Sequence, residues 1–186
     1  NDSVSNAQSV VVQRRFTPEL TIGSSDVRID LSSLFSELQQ ADARRVCVMG
    51  IGNQLRGDDG AGPQVIDRRD RDAAGIWIDG GTAPENFLEP IVQANVELVL
   101  IVDAVDFGGF PGEWRLLEVD ELEVFVISSH CGSLGMFRDY LEARAGVVVK
   151  VVGIQPGRLR VGTRLSDPVA KSTSELARLL SRLPSS

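Results

Sequence analysis

Arg45-Val-Cys-Val-Met-Gly-Ile-Gly-Asn-Gln-Leu-Arg-Gly-Asp-Asp-Gly-Ala-Gly-Pro63 is the stretch whose reading decides the fold. The apolar run Val46 to Ile51 has the length and composition of a buried strand. Gly50 and Gly52 interrupt the run, Asn53 follows, and Gly57 to Pro63 form a glycine-rich turn. An amphipathic segment, Gln64 to Arg69, then reads as a helix. Asp58 and Asp59 therefore sit on a turn just past the carboxyl end of the first strand, the edge at which open α/β sheets bind ligands. Two plainer readings stand beside that one. The glycines serve only a tight turn, or an aspartate serves only as a helix cap.

Downstream, the pattern alternates strand and helix. Ile76 to Asp79 is a short strand ending in Gly80-Gly81. Thr82-Ala-Pro-Glu85 reads as a capping box with Pro84 in the first turn, and the helix continues through Phe87, Leu88, Ile91 and Val92. Leu98 to Val102 is the most strand-like run and suits a strand covered on both faces; it ends in Asp103-Ala-Val-Asp106. Glu113 to Val119 alternates like an edge strand, and Asp120 to Phe125 reads as a helical turn. Val126 to Ser129 is a candidate strand leading to His130, followed by a helix marked by Leu134, Phe137 and Leu141. Val147 to Ile154 is a further strand, and Gly157 to Leu165 is a basic loop. Ser166 caps a last helix whose apolar face is Val169, Leu176, Leu179, Leu180 and Leu183. The alternation predicts an α/β fold with a mostly parallel sheet and helices on both faces.

Upstream, residues 1–44 read as an N-terminal extension: a polar, mobile arm, then a short helix within Asp26 to Gln40 carrying Leu31, Leu34, Phe35 and Leu38 at helical spacing. Residues 45–186 form the main domain.

A net charge of -7 excludes a basic nucleic-acid face. No apolar run approaches the roughly 20 residues of a membrane span. Val10 to Val12 is too short for a signal-peptide core and follows no Lys or Arg. Two cysteines without a framework pattern, Cys47 and Cys131, fit a reducing compartment, so a cytoplasmic protein is expected. Cys47 falls inside the first strand as a small core residue.

His130 is the single histidine, in a Ser-Ser-His-Cys-Gly turn before a helix. Should the strand ends carrying Asp59 and Asp103 adjoin it, two carboxylates and one imidazole converge on one cleft. Such a donor set with open positions suits a borderline divalent ion such as nickel, zinc or iron. The plainer readings are a hydrogen-bonded structural histidine and a turn-capping Asp103. A dinucleotide site is disfavoured, because Gly50-x-Gly52 lacks its third glycine, Leu55 standing there, and paired acids repel a pyrophosphate. A Cys131–His130 nucleophile pair is disfavoured because sequence neighbours point apart.

Gly50-Ile-Gly-Asn53, Gly57-Asp-Asp-Gly-Ala-Gly-Pro63, Asp79-Gly-Gly-Thr-Ala-Pro-Glu-Asn86, Ile101-Val-Asp-Ala104, Pro111-Gly-Glu113, Ser129-His130 and Gly153-Ile-Gln-Pro156 follow one another in an order that resembles the [NiFe]-hydrogenase maturation endopeptidases. The likeness spans about three quarters of the chain, from Arg45 onward, and is nearest to the branch serving formate-hydrogenlyase-type hydrogenases. Other branches carry Glu where this chain has Asp59.

The resemblance implies a three-layer α/β/α sandwich around a twisted sheet. It also implies an endopeptidase that removes the C-terminal extension of a hydrogenase large-subunit precursor after nickel insertion. Asp59, Asp103 and His130 take the places of the family's metal-binding and catalytic trio. The implied metal is chiefly the substrate's own nickel, with other divalent ions able to occupy the site. The implied partner is the large-subunit precursor, with no nucleic acid and no membrane insertion; the assembly is left open, a monomer included. The metal polarises the scissile carbonyl or activates a water, or a carboxylate acts as general base. Asp58 reads as a capping or supporting residue. A maturation chaperone that binds nickel or precursor without cleaving it is the alternative function.

Overall fold

The computed structural model describes residues 45–123, 131–162 and 164–183. The expected N-terminal arm and helix, the candidate strand Val126 to Ser129 and His130 lie outside the described residues. Among the described residues nine main elements follow in order: β1 (Val46–Ile51), α1 (Ala61–Asp67), β2 (Ile76–Gly81), α2 (Leu88–Gln93), β3 (Leu98–Ala104), β4 (Trp114–Glu118), α3 (Cys131–Ala145), β5 (Val148–Ile154) and α4 (Asp167–Leu180). Short 3-10 turns at Gly57–Gly60, Pro84–Phe87 and Val119–Glu123 join them.

The five strands lie in the order β2-β1-β3-β5-β4. All neighbours run parallel except β4, which pairs antiparallel with β5. Every residue of β1 and β3 is buried, as continuous apolar runs require when both faces are covered. Alternate side chains divide between two cores. Val46, Val48, Leu98, Leu100 and Val102 face α1 and α4, meeting Val65, Ile66, Leu176 and Leu180. Cys47, Met49, Val99 and Ile101 face α2 and α3, meeting Ile91, Leu134, Phe137 and Leu141. The result is the α/β/α sandwich. The edge strand β4 ends in the half-exposed Glu118, which pairs with Lys150 of β5, and a charge at a sheet edge discourages further strand pairing. No helix among the described residues is long and apolar enough to cross a membrane.

The glycines of the deciding stretch allow close backbone contact. A Cβ on Gly62 would lie 2.2 Å from the Val102 carbonyl oxygen and 2.4 Å from that of Ile51. The first turn of α1 therefore sits directly on the backbones of β1 and β3. Gly52, at φ 128°, would place a Cβ 1.9 Å from the Asp59 carbonyl oxygen, so the turn folds back onto the end of β1.

Two expected caps do not form. Thr82 to Glu85 makes no capping box, because β2 runs on to Gly81 and the following 3-10 turn starts at Pro84 with Ala83 at its cap. Alanine has no side-chain oxygen to offer the turn's N–H groups. Ser166 occupies the cap position of α4 but makes no side-chain cap bond, because its hydroxyl is engaged elsewhere.

Cys47 has no exposed surface, and burial pushes its thiol up to about 12. The stabilisation from keeping it neutral is complete below its ordinary value of 9.0 and is lost as the pH climbs toward 12. In a Cys131→Ser variant at about pH 8, iodoacetamide should leave the folded protein unlabelled and modify it in urea. Labelling of the folded protein at the denatured rate would contradict this environment.

Candidate active site

The sheet order makes a crevice. The chain leaves β1 toward β2 on one side, then crosses back to place β3 on the other. The carboxyl ends of β1 and β3 thus flank the point where the connections diverge, the usual ligand crevice of an open α/β sheet. Asp59 follows β1 there, and Asp103 is the penultimate residue of β3.

The two neighbouring acids of the turn have different roles. Asp58 has no exposed surface. Its Oδ2 accepts from the backbone N–H of Gly157 (2.8 Å) and Arg158 (2.9 Å) and from the Ser166 hydroxyl (2.8 Å). Its Oδ1 accepts from the Ser166 backbone N–H (2.6 Å). Its own N–H donates to the Arg158 carbonyl. Asp58 therefore locks the turn after β1 to the loop between β5 and α4, and this is what takes the Ser166 hydroxyl away from capping α4. Neither aspartate caps a helix by its side chain.

Asp59 is 5% exposed, and its Oδ2 accepts a single described bond, from the Asn53 backbone N–H at 3.1 Å. The half-exposed Arg56 guanidinium reaches within 4.0 Å of the same oxygen, an arrangement water screens strongly. Asp103 is 1% exposed, and its Oδ1 accepts from the Ala104 backbone N–H at 2.8 Å. Strand alternation puts Asp103 on the side of Val99 and Ile101, the face covered by α3, whose first residue is Cys131. Among the described residues no group of three or more His, Cys, Asp and Glu side chains is placed to hold a metal ion. Two of the three expected donors are described, and the third, His130, is not.

A family model described as "Hydrogenase maturation protease" matches residues 68–182. The chain belongs to the hydrogenase maturation protease family. The Hydrogenase 3 maturation protease of Escherichia coli (strain K12) is 40% identical over 122 residues, covering 64% of this chain and 78% of that protein. The crystal structure of a [NiFe] hydrogenase maturation protease from Thermococcus kodakarensis is similar with a TM-score of 0.72 at 26% identity, covering 81% of this chain and 97% of that one. A crystal structure of a Hydrogenase 3 Maturation protease gives a TM-score of 0.65 at 29% identity, covering 77% of this chain and 97% of that one. The family match begins downstream of the Asp58-Asp59 turn, so for Asp59 the geometry above carries the argument.

In this hydrogenase maturation protease, the loop that follows Asp103 is held by a residue to which the sequence assigns no role. Gln155, nearly buried at the end of β5, accepts from the backbone N–H groups of Phe107 and Gly109, each at 3.0 Å, and donates to Asp106 Oδ1 at 2.9 Å. Glu113 supports the same loop. It accepts from the Phe110 N–H and from Arg115, and the Arg115 bond, then the Phe110 bond, hold its carboxyl below the usual range. Arg115 in turn stacks 4.5 Å from the Phe107 ring centroid. A carboxamide at the end of an apolar strand was the available signal: such a group is buried only when its hydrogen bonds are met.

Proposed function

We propose that this protease removes the C-terminal extension of a [NiFe]-hydrogenase large-subunit precursor after nickel insertion. It acts in the cytoplasm, with residues 45–186 as the peptidase domain and 1–44 as an extension. Two buried carboxylates, Asp59 and Asp103, at the carboxyl ends of adjacent strands β1 and β3 carry the reading. They supply hard oxygen donors at a crevice, and His130 supplies the nitrogen that favours nickel over magnesium or calcium.

The nickel arrives as part of the substrate. Asp59 and Asp103 hold the loaded precursor so that one peptide bond lies over the crevice. Bound there, a divalent metal stabilises negative charge on the scissile carbonyl or lowers the pKa of water. Asp59, 5% exposed with one described hydrogen bond, is the carboxylate suited to take the proton from water. Asp58 cannot share that task, because both of its oxygens are committed to the β5–α4 loop.

Intact-mass spectrometry of a candidate large-subunit precursor, incubated with and without nickel loading, tests the proposal. The expected result is loss of a C-terminal fragment from the loaded sample alone. Stable complex formation with no change of mass in either sample would instead identify a binding chaperone.

A further inference from the structure

A pocket of about 360 Å³ lies behind the turn that carries Asp59. Its wall includes Gly57 and Gly60, which bracket the two acids, together with Gln54, Gln64, Arg68 and Arg164. Among the described residues no carboxylate lines it, in a chain of net charge -7. Arg68 is held in place by three neutral acceptors, the Ala170 carbonyl and the Thr173 and Ser174 hydroxyls, and has no carboxylate partner among the described residues. Arg164 has no hydrogen-bond or ion-pair partner among the described residues. Beyond the lining, next in sequence to Gln54 and three residues before Arg164, Leu55 is 72% exposed and Val161 is 77% exposed. The Leu55 carbonyl accepts from the Gly162 N–H at 2.8 Å, which brings the backbones beside these two exposed residues together.

We infer that this pocket is the subsite for an acidic side chain of the precursor polypeptide, close to the bond that is cleaved. The inference rests on the proposed function, because the occupant is the same precursor. Two guanidinium groups and the Gln64 carboxamide form an anion site, while the Gln54 carboxamide donates away from it, to Asp79 Oδ2 at 3.5 Å. A fixed Arg68 and an unengaged Arg164 together supply a fork for a carboxylate. The exposed Leu55 and Val161 cover an apolar neighbour of that acid in the bound polypeptide. Gly57 and Gly60 make the back of the catalytic turn one wall of the pocket, so its occupation fixes the precursor relative to Asp59.

The test compares wild type, Arg164→Glu, Arg164→Lys and a control, Arg178→Glu, on an exposed position of α4. Binding of nickel-loaded precursor is measured by biolayer interferometry, and cleavage by intact mass. Arg164→Glu should weaken binding about tenfold or more and raise KM with a much smaller change in kcat, as expected for loss of an interfacial charge pair. Arg164→Lys should recover most of the affinity, and Arg178→Glu should bind as wild type. Precursor variants with single acids changed to Lys should include one whose binding Arg164→Glu restores. Equal binding by wild type and Arg164→Glu, a loss in kcat alone, or no binding of precursor by wild type would overturn the subsite. A wild type that binds without cleaving, while Arg164→Glu still binds more weakly, would retain the subsite and remove the peptidase reading.

Discussion

Asp58→Ala should lower the urea midpoint of unfolding sharply, while Asp59→Ala, one residue on, should lower it far less. The Asp58 carboxylate is fully buried and accepts from three backbone N–H groups and a hydroxyl. Truncation leaves the three N–H groups of Gly157, Arg158 and Ser166 without their acceptor. An orphaned donor costs about 1–3 kcal/mol when water cannot reach it; Gly157 and Arg158 are exposed, so water meets part of the loss and the expected total is about 2–4 kcal/mol. That is a large fraction of the roughly 5–15 kcal/mol by which a domain is stable. Asp58→Asn should fall between, since its amide keeps one acceptor oxygen but turns an NH₂ toward other donors. Asp59→Ala removes one described hydrogen bond, to the partly exposed Asn53 N–H, for about 1 kcal/mol. Equal midpoints for Asp58→Ala and wild type would mean that the lock between the turn and the β5–α4 loop is not structural.

The reverse ordering is expected for activity. Asp59→Ala and Asp103→Asn should cut cleavage of nickel-loaded precursor by about a thousandfold, the range associated with loss of a general base or of a metal-orienting group. Asp103→Asn is chosen because it keeps the volume and the Oδ1 acceptor for the Ala104 N–H inside a buried site. The readout is the time course of intact mass, with circular dichroism to confirm that each variant is folded. Cleavage at the wild-type rate by Asp103→Asn would remove Asp103 from the catalytic set. The contrast between adjacent aspartates distinguishes chemistry from scaffold: Asp58 should fail the stability assay and Asp59 the activity assay.

The residues that bear on function were legible to different extents. Asp59 and Asp103 could be placed at strand ends because apolar runs mark strands and the acids terminate them. The sequence could not separate Asp58 from Asp59, since both lie on one turn and each is a plausible cap. The partners of Asp58 lie 99 to 108 residues away, beyond any local pattern. The Ser166 cap misled for the same reason: the position is right, but a buried carboxylate competes for the hydroxyl and wins it. Thr82 misled because a capping box depends on where the helix starts, and Gly81, at φ 51°, turns the chain before a later start at Pro84.

What the sequence by itself determined is the set of parallel strands, the half-buried edge strand β4, the helices that cover them and the family. These follow from side-chain periodicity and from turn residues within a few positions of each other. Only the tertiary structure decided which strands are neighbours, and hence that the carboxyl ends of β1 and β3, after which Asp59 and near which Asp103 stand, lie side by side. It also decided that Gly62 lies against the Val102 carbonyl, that Gln155 holds the loop after Asp103, and that a pocket with no carboxylate among its described lining residues backs the turn. Each of these joins residues far apart in the chain. Their energies depend on burial and on hydrogen-bond partners that exist only once the sheet has formed.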